Sequence, residues 1–301
     1  MKNKITILGG DLRQYTAAVT LSRKDWEVAL WGLDISDNKD ENICFYKDYR
    51  DAVDGAVGVV LPLPASTDGI FLNCPFGSSQ DKLRLNDILE TVEKDCIIVG
   101  GRIPDDFIDN AKKAGILVND YFLSEDFQIK NAYITAEAAI SIAMNSLNKN
   151  ICGAKIAITG YGRIAKHLIR LLSAMGANLT VAARKTSDLA WAACNGCSTL
   201  RIGDSAEQKR NIYELAHGYD IIYNTVPYWL FDRSFLEISD RNTFIIDLAS
   251  APGGVDIRAA KELGSNVLWA TSLPGKYAPV SAGTLIASCV DSILHGEVTE
   301  L

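Results

Sequence analysis

The most informative spacing in the chain is Gly160-Tyr161-Gly162-Arg163-Ile164-Ala165, directly after the apolar run Ile156-Ala157-Ile158. A strand, a G-x-G-x-x-A turn and a helix in that order make a phosphate site. The first glycine permits the tight turn, the second lets the backbone approach a pyrophosphate, and the small third residue keeps helix and strand close. The spacing therefore points to a dinucleotide, with Gly160, Tyr161, Gly162, Arg163 and Ile164 around its phosphates. The next apolar strand, residues 179–183, runs into Arg184-Lys185-Thr186-Ser187. NAD sites usually place Asp or Glu at this strand end, to bond the ribose 2′-hydroxyl. Here the first acid is Asp188, already past the strand. Arg184, helped by Lys185 and Thr186, suits a 2′-phosphate instead, so the expected cofactor is NADP. Two later strand ends, Asn224-Thr225-Val226-Pro227 and Asp247-Leu248-Ala249, should border the nicotinamide end, and Gly275 is placed with them.

Other residues offer carboxylate binding and proton transfer. Gly9-Gly10-Asp11 after the opening strand could present backbone N–H groups and Arg13 to a carboxylate. Ser66 and Thr67 bring two hydroxyls after a further strand, and Gly100-Gly101-Arg102 ends a third. At each of these a plain structural turn is the competing reading. Lys276 and Tyr277 precede the last helix and could supply a cation or a proton-transfer group. Histidine is the usual base near neutral pH, but His167, His217 and His295 fall in a helix, at a helix end and near the C-terminus. Cys194-Asn195-Gly196-Cys197 is a lone C-x-x-C at a helix end, without the second ligand pair a zinc site needs. No metal site is expected.

These residues require two series of alternating strands and helices. In the first, residues 4–8, 27–31, 56–61, 96–99 and 116–118 read as strands and residues 12–22 and 105–114 as helices. Residues 62–80 read as a long loop with room for a short hairpin. Residues 131–147 form an alanine-rich helix. The second series has strands at 155–159, 178–183, 221–224, 243–247 and 266–269. Its helices fall near 164–174, 187–194, 211–216 and 257–261, and a final helix spans 281–294. Such alternation predicts parallel sheets covered on both faces. The expected fold is α/β, with two doubly wound, Rossmann-like domains joined by a long helix and a C-terminal helix that returns to the first domain. Residues 1–130 with 281–301 would form the substrate and catalytic domain. Residues 131–280, with the linking helix 131–148, would form the NADP-binding domain.

The 301 residues carry thirty Lys and Arg against thirty-seven Asp and Glu, a net charge of −7, with 48% hydrophobic residues. This is the composition of a globular protein. It argues against binding nucleic acid or an anionic membrane through bulk charge. Anionic ligands must then be held by local donors. No uncharged apolar stretch is long enough to span a bilayer. The short apolar run near Met1 and the odd count of seven cysteines predict reduced thiols in a cytoplasm.

The architecture resembles the D-2-hydroxyacid dehydrogenase family, and the motifs are closer to the family of dipicolinate synthase A subunits. The residues that carry this resemblance are Gly9-Gly10-Asp11-Leu12-Arg13-Gln14, residues 61–66, Thr135-Ala136-Glu137, Gly160 to Gly162, Ala183-Arg184, residues 247–254 and Leu273-Pro274-Gly275-Lys276-Tyr277-Ala278-Pro279 with Ser281-Ala282-Gly283. The hydroxyacid dehydrogenases place a catalytic His before the final helix, where this chain has Gly275-Lys276. The resemblance implies an NADP-linked oxidoreductase of spore formation. Working with a second, flavoprotein-like subunit, it would oxidise a dihydro- or hydroxytetrahydrodipicolinate ring to dipicolinate. The small dicarboxylate would be held by Arg13, Ser66, Thr67 and Thr135, with Lys276 or Glu137 as the base. A homo-oligomer is expected too. Two alternatives stay open: an NADP-dependent dehydrogenase of another small acid, of shikimate or hydroxyacid type, and a non-catalytic NADP-binding regulatory subunit.

Overall fold

A computed structural model describes residues 3–35, 40–78, 82–203 and 205–296, the side chains of Glu207 and Lys209 aside. Residues 79 and 80, the end of the expected loop, and residues 297–301, the end of the expected returning segment, lie outside the described residues. The chain divides into two units, one of residues 1–131 and 274–301 and one of residues 132–273.

Unit 1 contains β1 (Asn3–Leu8), α1 (Leu12–Ser22), β2 (Trp26–Trp31), β3 (Ile43–Phe45), α2 (Tyr49–Val53), β4 (Gly58–Val60), α3 (Leu85–Leu89), β5 (Ile97–Gly100), α4 (Asp105–Ala114) and β6 (Leu117–Asp120). The strands form one parallel sheet in the order β3-β2-β1-β4-β5-β6. Ile5 is paired with Val28 on one side and Gly58 on the other. Such a strand is covered on both faces, hence four buried residues in a row from Ile5 to Leu8, among which the Thr6 hydroxyl donates to the Ala52 carbonyl at 2.6 Å. α1 starts at a capping box, where the Asp11 side chain accepts from the first turn and Gln14 reaches back to the Asp11 N–H. That satisfies two otherwise orphaned donors. α4 has Asp105 and Asp106 in its first turn, Lys112 and Lys113 in its last, and Gly115 as a left-handed cap. Charge and cap both favour that helix direction.

α5 (Glu125–Ser146) links the two series of strands and enters unit 2 at Ala132. Unit 2 then runs β7 (Lys155–Thr159), α6 (Arg163–Ala174), β8 (Asn178–Ala183), α7 (Thr186–Cys194), β9 (Ser198–Arg201), α8 (Ala206–Asn211) with a 3₁₀ turn at Ile212–Ala216, β10 (Ile221–Asn224), α9 (Arg233–Ile238), β11 (Phe244–Asp247), α10 (Ile257–Leu263) and β12 (Val267–Trp269). Its sheet order, β12-β11-β10-β7-β8-β9, is the same winding as in unit 1. In both sheets the order reverses beside the first strand, and the crevice at that reversal is where such folds bind ligands. Ala165, Leu168, Ile169 and Leu172 form the buried stripe of α6 over β7 and β8.

The short α11 (Leu273–Tyr277) and α12 (Pro279–Leu294) complete the chain. The return to unit 1 starts at Pro274, ahead of residue 281, because α11 stands where sequence shows only a loop. α12 packs along α1 through Ala282, Gly283, Ile286 and Ala287. A Cβ on Gly283 would collide with the Arg13 carbonyl and reach 2.5 Å from Thr16 Cβ, so glycine sets how closely these helices approach.

Several expectations need correction. β3 and β9 are absent from the sequence reading because edge strands need no continuous apolar run; β9 buries only part of Leu200. No hairpin forms between residues 62 and 78. Phe71 and Arg84 make a single antiparallel bridge instead. The linking helix starts at Glu125 rather than 131, and residues 211–216 are the end of α8 followed by 3₁₀ geometry rather than an α-helix of their own. No described helix is long and apolar enough to cross a membrane.

Candidate functional site

The turn after β7 is built for close approach. Gly160 has φ +88, and a Cβ there would lie 2.6 Å from Thr225 Oγ1 and 2.9 Å from Val226 Cγ2. Thr225 Oγ1 in turn donates to the Thr159 carbonyl at 2.7 Å. Gly162 is the N-cap of α6 and supplies no side-chain cap. A Cβ on it would meet nothing within 4 Å, so the space above this helix start is open. Ala165, at the third small position, is fully buried.

A cleft of about 350 Å³ opens beside this turn. Of the residues read from sequence, Gly160, Tyr161, Arg184, Lys185, Val226 and Pro227 line it. Ala183, Asp188, Ile202, Gly203, Tyr228 and Leu230 complete the lining. Among the described residues, neither Arg184 nor Lys185 has an ion-pair partner, and both are exposed. Among the described residues no carboxylate stands at the end of β8; Asp188 sits in the first turn of α7. Burial pushes the Tyr161 phenol up, against a hydrogen bond from Asn195. Ile202 and Gly203 escape sequence reading because they follow the edge strand β9. Pairing places them there, with the Ile202 N–H donating to the Ala183 carbonyl at 3.1 Å.

Asn224 shapes the cleft from beneath. Its amide Nδ2 donates to Asp247 Oδ1 at 2.7 Å, and its Oδ1 accepts from Thr159 Oγ1 at 2.6 Å and from the Val226 N–H at 3.1 Å. Asp247 also accepts from the N–H groups of Ala249 and Gly254. Leu248 and Ala249 are buried at the end of β11. Arg163, Ile164 and Thr186 occupy the first turns of α6 and α7. The lining and the supports fit a dinucleotide: an uncapped helix start beside the cleft, a glycine-lined mouth and two cations without an ion-pair partner among the described residues.

In unit 1 the carboxyl ends of β1, β4 and β5 are tied together. The Gly10 N–H donates to the Asn73 carbonyl at 2.9 Å, the Asn73 N–H to the Ala65 carbonyl at 2.9 Å, and the Ala65 N–H to the Gly101 carbonyl at 3.0 Å. Arg13 is only 6% exposed. Its Nε and Nη2 donate to Asp11 at 2.8–3.2 Å, and Nη2 also donates to the Leu63 carbonyl at 2.5 Å. Gly275 lies over this pair; a Cβ there would be 2.9 Å from Arg13 Nε. Ser66 is occupied by its own turn, donating to the Phe71 carbonyl at 2.6 Å and accepting from the Gly69 N–H at 3.0 Å. Thr67 beside it is exposed.

Lys276 is exposed on α11, in unit 1. Thr135 is buried and Glu137 exposed on the part of α5 that belongs to unit 2. His217 pairs with Asp240 at 3.0 Å, and His295 with Asp291 at 3.5 Å. The His167 ring stacks edge-on against Tyr133 at 5.2 Å. All seven cysteines are free, and burial lifts the thiols of Cys96 and Cys289 to about 12 and about 11. Among the described residues no group of three or more His, Cys, Asp or Glu could hold a metal ion.

Residues 4–122 match the family model for the N-terminal domain of the dipicolinate synthase A subunit. The dipicolinate synthase A subunit of Bacillus subtilis (strain 168) is 28% identical over 292 residues, covering 97% of this chain and 95% of that protein. The crystal structure of the dipicolinate synthase A subunit from Bacillus halodurans superposes with a TM-score of 0.82 at 25% identity, over 97% of both chains. The crystal structure of its Bacillus subtilis counterpart gives 0.82 at 27% identity, over 99% of this chain and 97% of that one. The resemblance to the family of dipicolinate synthase A subunits carried by the sequence motifs is therefore real, and it extends along nearly the whole chain.

Proposed function

We propose that the chain is an NADP-dependent oxidoreductase subunit that forms dipicolinate from a dihydro- or hydroxytetrahydrodipicolinate during sporulation, together with a flavoprotein-like second subunit. The observation that carries the NADP reading is a cleft lined by Gly160 and Tyr161, which lead into the open and uncapped start of α6, together with Arg184 and Lys185. Gly160, Gly162 and the first-turn N–H groups of α6 would receive the pyrophosphate. Arg184 and Lys185 would receive the 2′-phosphate. Unit 2 then serves the dinucleotide and unit 1 the dicarboxylate. Seven free thiols are consistent with work in a reducing cytoplasm.

Bound there, NADP⁺ would accept the hydride equivalent that leaves the ring. The chain's own residues orient the dicarboxylate and take up the accompanying proton, for which Lys276 and Glu137 are the candidates. Gain of aromaticity drives the oxidation, so orientation is the main demand on the protein. A hydroxytetrahydro ring must also lose water.

The test is a titration of the chain with NADP and NAD, before and after Arg184→Ala. NADP should bind more tightly, and the substitution should weaken it by roughly ten- to hundredfold, the loss of a charge-assisted contact, with little change for NAD. Equal affinity for both dinucleotides, unaffected by the substitution, would exclude NADP specificity. Dipicolinate formation, followed by absorbance with and without the second subunit, then separates a catalytic chain from a non-catalytic dinucleotide-binding one.

A further inference from the structure

Arg102 follows Gly100-Gly101 at the carboxyl end of β5, with φ +53. This is the left-handed region, in which a long side chain is rarely found and which persists only where neighbours enforce it. Asp120 enforces it. This carboxylate, 8% exposed at the end of the adjacent strand β6, accepts from the N–H groups of Arg102 at 3.0 Å, Ile103 at 2.8 Å and Phe122 at 2.8 Å. The turn is also tied to the end of β4 through the Gly101 carbonyl and the Ala65 N–H. The guanidinium itself is exposed, 5.6 Å from the centroid of the Phe122 ring, and has no ion-pair partner among the described residues. A glycine would fill this turn without strain, so the backbone conformation does not account for an arginine here.

Arg13, on the same edge of the sheet, is in the opposite state. Asp11 and the Leu63 carbonyl occupy its Nε and Nη2, and Gly275 packs over it. Its charge is already neutralised inside unit 1. Of these two arginines, only Arg102, whose guanidinium lies over the Phe122 ring, presents a planar fork of donors with no hydrogen-bond partner among the described residues, at the carboxyl edge where doubly wound sheets take their ligands.

We infer that Arg102 is the residue of unit 1 that anchors a carboxylate of the small-acid substrate, in the bidentate geometry of an arginine–carboxylate pair. Asp120 is its positioning residue, and Arg13 is a structural tie. The inference rests on the proposed small-dicarboxylate substrate and refines which residue receives it.

The test uses the full chain with NADP present and dipicolinate as the probe, titrated calorimetrically. Arg102→Gly removes the guanidinium and relieves the backbone. It should weaken dipicolinate at least tenfold, leave NADP affinity within twofold, and keep the melting temperature equal or higher. Arg102→Lys, which keeps the charge and loses the fork, should fall between Gly and the wild type. Asp120→Asn should weaken dipicolinate in the wild-type background and add no further loss in the Arg102→Gly background; equal losses in both would assign Asp120 a merely structural role. Wild-type dipicolinate affinity in Arg102→Gly, with NADP still bound, overturns the inference and leaves the proposed function standing. A wild-type chain that binds NADP but not dipicolinate, or binds neither, overturns both.

Discussion

Asn224 and Asp247 face each other across adjacent strands at 2.7 Å, both at zero exposure. The pair joins three strand ends, because Asn224 also accepts from Thr159 on β7 and Asp247 also holds the Gly254 N–H beyond β11. Asn224→Ala would leave the Thr159 hydroxyl and the Val226 N–H unsatisfied and the buried Asp247 carboxylate short of a donor. We expect a loss of about 2–4 kcal/mol in urea unfolding. Asn224→Asp should be worse, because it sets two carboxylates against each other. A loss below about 0.5 kcal/mol for Asn224→Ala would contradict the role assigned to this network.

Gly160 and Gly162 belong to one motif and should respond differently to the same substitution. Gly160 combines φ +88 with a Cβ clash at 2.6 Å against Thr225 Oγ1. Gly160→Ala therefore strains both the backbone and the packing, and should lower the melting temperature as well as dinucleotide affinity. Gly162 has φ −80 and open space where its Cβ would go. Gly162→Ala should lower the melting temperature by no more than about 3 °C, since alanine is the poorer N-cap by roughly 1 kcal/mol but meets no clash. It should still weaken NADP at least tenfold, because the methyl group fills the approach to the pyrophosphate. Thermal unfolding alongside a fluorescence titration separates the two effects. Unchanged NADP binding in Gly162→Ala would remove the phosphates from this turn.

The difference between what sequence reveals and what it hides follows from the range of the interactions. β7 and α6 are legible because an apolar run, two glycines and the stripe Ala165, Leu168, Ile169 and Leu172 sit within 20 residues and agree. β9 is not, because an edge strand with one half-buried Leu200 is defined by its pairing to β8. Ile202 and Gly203 disappear from the sequence reading with it. In unit 1, Arg13 can be read from sequence as an available cation. What occupies it includes the Leu63 carbonyl, 50 residues away in the chain. The same limit applies at Arg102: the sequence marks Gly100-Gly101-Arg102 as a strand-end turn that could meet a ligand, but its left-handed backbone depends on Asp120, 18 residues on.

Asp291 fastens the returning helix α12 to unit 1 and gives that contact a pH dependence. Lys24 Nζ donates to Asp291 Oδ2 at 2.6 Å and Trp26 Nε1 to Oδ1 at 2.7 Å. Partial burial works to raise the carboxyl pKa, but the hydrogen bonds from Lys24 and Trp26 outweigh it and hold the pKa below the ordinary Asp value of 3.8. A carboxylate with a depressed pKa in the folded state contributes its full stabilisation above the unfolded value. It loses that contribution as pH falls through the folded one. Lys24 is nearly half exposed, so the contribution is modest, about 1 kcal/mol. Asp291→Asn should therefore lower the melting temperature by a few degrees at pH 7. The gap to the wild type should narrow below about pH 4, where the wild-type carboxylate also becomes neutral. Lys24→Met should reproduce part of the loss at pH 7 in low salt and little of it in 1 M salt, because half-exposed ion pairs are screened. A gap between wild type and Asp291→Asn that stays the same at pH 3 and pH 7 would mean that shape alone, and not charge, holds α12 in place.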